Sequence, residues 1–96
     1  MYILLVRYKC KPGCRDSFYR AVTDAGVDAG SRAEQGNIRY EYSFGISDDE
    51  LILTELWRDE QALESHKTSA HMAKLGAIKS EYVESTEIVR YKAEQI

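Results

Sequence analysis

Two kinds of apolar spacing alternate along this chain, and their order restricts the folds that it can adopt. Alternation with a period of two, which is typical of strands, covers residues 2–10, 37–45, 51–57 and 82–91. Apolar residues at helical spacing fill the intervals after the first and third of these strands. The resulting order β, α, β, β, α, β is that of the ferredoxin-like split βαβ arrangement. We therefore expect an α+β fold in which an antiparallel four-stranded sheet carries its helices on one face.

The two helical intervals differ in how they are divided. The first predicts one long helix that loosens in its last turns, at Gly26 and Gly30. The second contains two capping residues, so we expect one helix from Asp59 to about 67 and another from Ser69 to about 79. Because no linker or low-complexity stretch interrupts these elements, we expect a single domain over residues 1–96.

Charge and hydropathy argue against two classes of partner. The 13 Lys and Arg against 16 Asp and Glu give a net charge of −3, and the basic residues are scattered, which is not the pattern of a nucleic-acid binder. The only long apolar stretch is Tyr2–Val6, far short of the ~20 residues that span a bilayer. Because this stretch starts directly after Met1, it lacks the charged region that opens a secretory signal. We expect a cytoplasmic protein that binds neither nucleic acid nor membrane.

Apolar residues on the second face of the predicted sheet indicate self-association. Ile3 and Leu5 lie on the side of the first strand that turns away from the helices, and Ile52 and Leu56 repeat this pattern in the third strand. The helices of a 96-residue chain cover the first face, and few residues remain to cover the second. We therefore expect a homodimer in which two sheets pack face to face.

Motifs of the common cofactor-dependent and hydrolytic enzymes are missing. The six glycines form neither G-x-G-x-x-G nor a P-loop, which argues against a nicotinamide or ATP enzyme. No G-x-S-x-G is present, so a serine hydrolase is not expected. Cys10 and Cys14 have a C-x3-C spacing that fits neither a zinc ribbon nor a disulfide framework. We expect a reduced pair without a role, and keep a redox role as the alternative.

A small group of titratable and aromatic residues remains as candidates for chemistry: Tyr40, Glu55, Trp57, His66 and His71. His66 follows Leu63 at helical spacing and should point toward the sheet. Glu55 shares its strand face with Trp57, so a carboxylate and an imidazole would meet in one apolar cavity, with the phenol of Tyr40 on the neighbouring strand. Such an environment tunes a histidine as a general acid or base.

Purely structural interpretations stand beside the chemical one. The histidines could be hydrogen-bonded or solvated residues of their helices, and the aromatic residues could belong to the core. Glu55 could lie at an edge of the sheet, or it could pair across the sheet with Arg39 or Arg58. A metal site built from His66, His71 and Glu55 is not expected. The spacing of five residues between the histidines does not place them on one helical face, and no fourth ligand is evident.

Three short motifs follow one another between Glu34 and His71. They are E-x-G-N-x-x-Y beginning at Glu34, E-x-W-x-D-x-x-A beginning at Glu55, and H-x-x-S-x-H beginning at His66. In this combination they closely resemble the antibiotic biosynthesis monooxygenase (ABM) domain family, and most of all its small quinol monooxygenases and autoinducer-2 degrading isomerases. The resemblance implies a ferredoxin-like unit that pairs into a dimeric α+β barrel.

The resemblance also implies oxidation chemistry that uses no flavin and no metal. A quinol or a polycyclic phenol can supply its own electrons to dioxygen once a base has removed a proton, and the protein adds a dry pocket and orientation. In this interpretation His66 is the base and Glu55 fixes its tautomer, while Tyr40, Trp57 and His71 shape the substrate pocket.

Two other functions remain open. The same base could move a proton beside a carbonyl, as an isomerase of a small, phosphorylated or unphosphorylated carbonyl compound requires. The scaffold could also be a non-catalytic small-molecule-binding or stress-response dimer, and then the interior beside His66 should be filled. Heme degradation is not expected, because Val6 and His66 stand where the heme-degrading relatives have an asparagine and a tryptophan.

Overall fold

The computed structural model describes residues 1–96 and contains four strands and four helices. All three strand pairings are antiparallel, and the order β2-β3-β1-β4 places β1 and β3 at the centre of the sheet. This is the predicted ferredoxin-like α+β fold. No helix is both long enough and apolar enough to cross a membrane. In chain order the elements are β1 (Tyr2–Cys10), α1 (Arg15–Asp24), α2 (Val27–Ala33), β2 (Asn37–Phe44), β3 (Glu50–Trp57), α3 (Glu60–Lys67), α4 (Ala70–Tyr82) and β4 (Val83–Lys92).

The first helical region is two helices, so the prediction of one long helix is wrong. The break lies at Gly26, whose φ of 77° belongs to the left-handed region that glycine adopts at no steric cost. Gly30, by contrast, lies inside α2 and does not end it. Because the chain changes direction at Gly26, α2 can lie over β2 while α1 packs against α4.

The second helical region is divided as predicted, but only one of the two expected caps forms. Oδ1 of Asp59 accepts a hydrogen bond from the backbone N–H of Ala62 at 2.9 Å and caps α3. Ser69 precedes α4 without capping it, and its hydroxyl instead donates to the carbonyl of His66 at 2.7 Å. This bond ties the start of α4 to the end of α3. The histidines on the two helices are thereby brought close together.

The core lies between the helices and one face of the sheet. Only three polar residues are buried, and two of them, Glu55 and His66, lie beside each other on this face. Placing a carboxylate and an imidazole in apolar surroundings is costly unless they find partners or serve a function. The largest fully buried side chains of the core are Trp57, Tyr40, Phe18, Leu51, Leu53 and Leu63.

The other face of the sheet carries the predicted second set of apolar residues. Leu5 and Tyr91 are 43% and 54% exposed there, and Ile3 and Leu56 are half-buried. Ile3 lies opposite Leu56 on one side and opposite Tyr91 on the other, so the set is continuous across three strands. An apolar patch of this kind on a small protein indicates an interaction surface.

Candidate active site

His66 is held in the core by the helical spacing of α3. It shares the buried stripe of this helix with Ala62 and Leu63, and only 3% of its side chain is exposed. Its ring centroid lies 4.5 Å from that of Trp57 and 5.8 Å from that of Tyr40. The imidazole therefore points toward the sheet, as its spacing predicts, and is enclosed by aromatic side chains of β2 and β3.

Glu34, a carboxylate that was not among the predicted candidates, contacts the imidazole of His66. It lies in the loop between α2 and β2, and its Oε2 atom is 2.6 Å from Nδ1 of His66. The loop approaches α3 closely because residue 36 is glycine: a Cβ atom on Gly36 would lie 2.6 Å from Cβ of Ala62. The backbone N–H of Arg58 also donates to the carbonyl of Gly36, at 2.8 Å. These contacts hold Glu34 against α3.

His71 reaches the same carboxylate from α4. Its Nε2 atom lies 3.1 Å from Oε2 of Glu34, and its ring centroid is 5.8 Å from that of His66. The ring packs on α2 at Gly30, where a Cβ atom would come within 2.7 Å of Nδ1 of His71. Gly30 therefore leaves the space that this ring occupies. One oxygen of Glu34 is consequently shared by two imidazoles.

Glu55 faces the other nitrogen of His66. Its Oε1 atom accepts a hydrogen bond from the indole N–H of Trp57 at 3.0 Å and lies 3.7 Å from Nε2 of His66. The latter distance is too long for a hydrogen bond. Glu55 therefore does not orient the imidazole as the sequence predicts, because the carboxylate that is hydrogen-bonded to the ring is Glu34.

The alternative interpretation, in which Glu55 pairs across the sheet with an arginine, does not match the structure. Arg39 contacts Glu41 at 3.6 Å, and Arg58 contacts Asp59 at 3.1 Å, so both guanidinium groups lie at the surface with other partners. The side chain of Glu55 is only 6% exposed. The carboxyl group of Glu55 therefore has a hydrogen bond from the indole N–H of Trp57 but no ion pair with either of these arginines.

Burial controls the ionisation of the buried groups. Desolvation raises the pKa of Glu55 to about 7, although the hydrogen bond from Trp57 acts against this shift. Desolvation likewise holds the pKa of His66 below its ordinary value, and the hydrogen bond to Glu34 opposes that shift. Burial, together with the nearby charge of Glu55, raises the pKa of Tyr40 to about 12. Burial therefore favours the uncharged form of the His66 imidazole.

The contact with Glu34 selects the nitrogen of His66 that carries the proton. A carboxylate oxygen only accepts hydrogen bonds, so a proton on Nδ1 satisfies the 2.6 Å contact. Nε2 then keeps its lone pair, and it is buried without a hydrogen-bond partner. The hydroxyl of Tyr40 is buried and unpaired as well. Such unpaired atoms are rare in folded proteins, so a base with a free lone pair in a dry environment requires an explanation.

A polar cavity of about 520 Å³ adjoins the cluster at Glu34. Neither His66 nor Trp57 is part of its lining. Of the cluster, only Glu34 therefore borders this cavity. The lining consists of Glu34, Gln35, Arg58, Gln61, Ala62 and Ser65.

The sequence profile of a family described as "Antibiotic biosynthesis monooxygenase" (ABM) matches residues 1–77 of the chain. The chain belongs to the ABM family. A relative from Bacillus subtilis (strain 168), named "Putative monooxygenase YcnE", is 31% identical over 72 residues, which make up 74% of each protein. The resemblance seen in the three motifs is thus confirmed at the level of the family.

Solved structures share the fold of this ABM protein over almost its whole length. The structure titled "Putative antibiotic biosynthesis monooxygenase from Nitrosomonas europaea" has a TM-score of 0.86 at 22% identity and covers 97% of this chain and 98% of its own. Rv0793 from Mycobacterium tuberculosis has a TM-score of 0.85 at 25% identity, with coverages of 99% and 96%. The ferredoxin-like ABM fold is therefore common to all three.

Four of the five predicted candidates lie together in the core of this ABM protein, and His71 joins them at the edge through Glu34. Glu34 was missed because no helix or strand periodicity includes it. The one available signal was its place as the first residue of the first motif. The candidates in the core are Tyr40, Glu55, Trp57 and His66.

Proposed function

We propose that this ABM protein is a monooxygenase that oxidises a quinol-like or polycyclic phenolic molecule with dioxygen, and that His66 is its general base. The observation that carries the proposal is the buried imidazole of His66. Its Nδ1 atom contacts the carboxylate of Glu34, and its Nε2 atom has a free lone pair. The names of the relatives support the oxygenase class. In this proposal Glu34 replaces Glu55 as the group that orients the base.

The first step is the transfer of a phenolic proton to Nε2 of His66. The imidazolium that forms is stabilised by the Glu34 carboxylate on Nδ1, as in other carboxylate–histidine pairs. The deprotonated substrate then gives electrons to dioxygen. One oxygen atom of dioxygen converts a ring CH₂ of the keto form to C=O. The second oxygen atom leaves as water with the two hydrogens of that CH₂. The substrate supplies all four electrons, so the balance requires neither a flavin nor another reductant.

The neighbouring side chains suit an aromatic substrate. Trp57 and Tyr40 flank the imidazole, so a substrate that reaches Nε2 would lie among aromatic side chains. Glu55, with a pKa of about 7, can hold a proton near neutral pH and donate it in a hydrogen bond to a substrate oxygen. His71 was predicted as a pocket residue, but its contact with Glu34 suits it better to hold that carboxylate in place.

Oxygen consumption tests this function. In the presence of a chelator, the purified protein should take up one dioxygen for each molecule oxidised when it is given a panel of hydroquinones and polycyclic phenols. With isotope-labelled dioxygen, one labelled atom should enter the product and the other should appear in water. Absence of uptake across the panel, or hydrogen peroxide as the sole reduced product, contradicts the proposal. Entry of solvent deuterium into small ketones without oxygen uptake would instead support the isomerase.

Binding without catalysis is a second candidate function, and one observation favours it. Tyr40, Trp57 and His66 are each at most 2% exposed, and none of them lines the cavity at Glu34. This filled interior is what a non-catalytic protein should have beside its histidine. Fluorescence of Trp57, the only tryptophan, separates the two functions. Quenching by phenols that are also oxidised supports catalysis in the core, whereas binding without quenching or turnover supports the second candidate.

We also propose that the chain forms a homodimer through the open face of its sheet. Leu5 lies in that apolar patch, between Thr54 and Val89 of the adjacent strands. Leu5→Lys should yield monomers in sedimentation, because a lysine charge cannot be desolvated in an apolar interface. The matched change Ile88→Lys, at a position 55% exposed on the other face, should leave the dimer intact. A monomeric wild-type chain at micromolar concentration contradicts the proposal.

A further inference from the structure

We propose that Glu34, His66 and His71 form a binding site for a divalent first-row transition-metal ion. Each residue offers one ligand atom, and these atoms lie within 4.8 Å of one another. Oε2 of Glu34 contacts Nδ1 of His66 and Nε2 of His71. Two imidazoles and one carboxylate are a ligand set that zinc and ferrous ions bind in proteins. The binding itself is independent of the oxidation proposed above.

The two contacts of Glu34 are already close to the separation that a shared ion requires. Zinc bonds of about 2.0–2.2 Å at tetrahedral angles separate two ligand atoms by about 3.3 Å. The contact between Glu34 and His71 is already 3.1 Å, whereas that between Glu34 and His66 must lengthen from 2.6 Å. Because Glu34 lies in a loop and its side chain is 17% exposed, rotation of its carboxylate can provide this change.

The surroundings of His66 suit ligation through Nδ1. A metal-bound imidazole carries its proton on the other nitrogen and usually donates it to a carboxylate or carbonyl oxygen. Nε2 of His66 has no hydrogen-bond partner, and Oε1 of Glu55 lies 3.7 Å from it. The indole N–H of Trp57 holds that same oxygen in place. Glu55 is therefore positioned to receive the proton of a metal-bound His66 after a small approach.

The site has an entry path and room for water ligands. Glu34 lines the 520 Å³ cavity, whose other walls are mostly polar, so a hydrated ion can approach it. Three protein ligands leave at least one coordination position open. The sequence disfavours a metal site because His66 and His71 cannot share one helical face. In the structure they come from two helices, α3 and α4, and the carboxylate is Glu34 instead of Glu55.

An ion at this site would reverse the tautomer of His66. It would take the lone pair of Nδ1 and leave the proton on Nε2, which could then no longer accept a proton from a substrate. Such an ion would inhibit the proposed oxidation reversibly. This consequence rests on the proposed function, whereas the binding does not.

Metal binding can be measured without any substrate. Calorimetric titration of chelator-treated, dialysed protein with Zn²⁺ should show one ion per chain with micromolar or tighter affinity, and Co²⁺ should produce visible absorption bands. Glu34→Gln and His71→Ala should each weaken Zn²⁺ binding at least about tenfold. Two controls should bind like wild type: Glu64→Gln, which changes an exposed carboxylate on α3 beside Lys67, and Cys14→Ser, which removes a thiol.

The NMR signals of the imidazole rings in the wild-type protein provide a second test that does not depend on the folding of a variant. One equivalent of Zn²⁺ should shift the ring signals of both His66 and His71. Three results would overturn the proposal: binding weaker than micromolar, unchanged affinity in folded Glu34→Gln and His71→Ala, or ring signals that do not both move. Because no substrate is present, these results are separate from any failure of the oxidation assay.

Discussion

His66→Asn is expected to lower the oxygen uptake of this ABM protein about 10²- to 10⁴-fold, which is the usual contribution of a general base. The asparagine amide can take the place of Nδ1–H and keep the hydrogen bond to Glu34, so the packing beside α3 is preserved. No atom of the new side chain replaces Nε2, the proposed proton acceptor. Initial rates with the best phenol of the panel, measured in a chelator, provide the comparison.

Two variants show whether the loss arises from the base itself. His71→Asn removes the second imidazole from Glu34 but leaves Nε2 of His66 untouched, so uptake should fall by less than about tenfold. Glu34→Gln no longer offers a carboxylate to Nδ1, and its pH–rate profile should shift because the imidazolium loses its stabilising charge. Uptake by His66→Asn close to that of wild type would remove His66 as the base.

Glu55→Gln is expected to raise the free energy of unfolding relative to wild type by an amount that grows with pH. Burial raises the pKa of Glu55 from 4.5 to about 7, so in this interval the folded chain holds a proton that the unfolded chain has released. Wild-type stability therefore falls as pH rises from 4.5 to about 7 and levels off above it. At about 1.4 kcal/mol per pKa unit, the wild type loses about 3 kcal/mol across this window.

The glutamine variant isolates this effect from other groups that titrate nearby. Its side-chain oxygen can still accept a hydrogen bond from the indole N–H of Trp57. The other groups that face position 55, including His66 and Glu34, are unchanged. Urea denaturation of both proteins at several pH values gives the difference directly. Glu64→Gln, a surface change on α3, should give a small difference at every pH because solvent screens the charge. A flat difference for Glu55→Gln would contradict the prediction.

The sheet could be predicted from the sequence because its signal is local. Alternating burial along β1 and β3 repeats the period of two in the sequence, and the inward turn of His66 repeats the helical spacing of α3. The break at Gly26 was not predicted, because a glycine at helical spacing can either weaken a helix or end it. Only the packing of α2 on β2 decides between these outcomes.

The partner of His66 could not be predicted because it depends on contacts between distant segments. Glu34 and His66 are brought together by the loop at Gly36, which approaches Ala62 too closely for any other residue to fit without displacement. Glu55, by contrast, shares a sheet face with Trp57 by simple alternation, so its presence in the cluster was predictable although its role was not. Periodicity thus identifies the residues that point inward, but not the atoms that they meet.

The outer strands of the sheet limit how copies of this chain can associate. β2 and β4 form its two edges, and both carry exposed charges: Arg39 and Glu41 on β2, and Glu87 and Arg90 on β4. Charged edge strands resist the addition of further strands beside them. Face-to-face pairing, in contrast, would bury the open face of both copies. No further copy could then bind to this face. The proposed dimer should therefore be the largest assembly, and concentrated solutions of the protein should not form polymers through added strands.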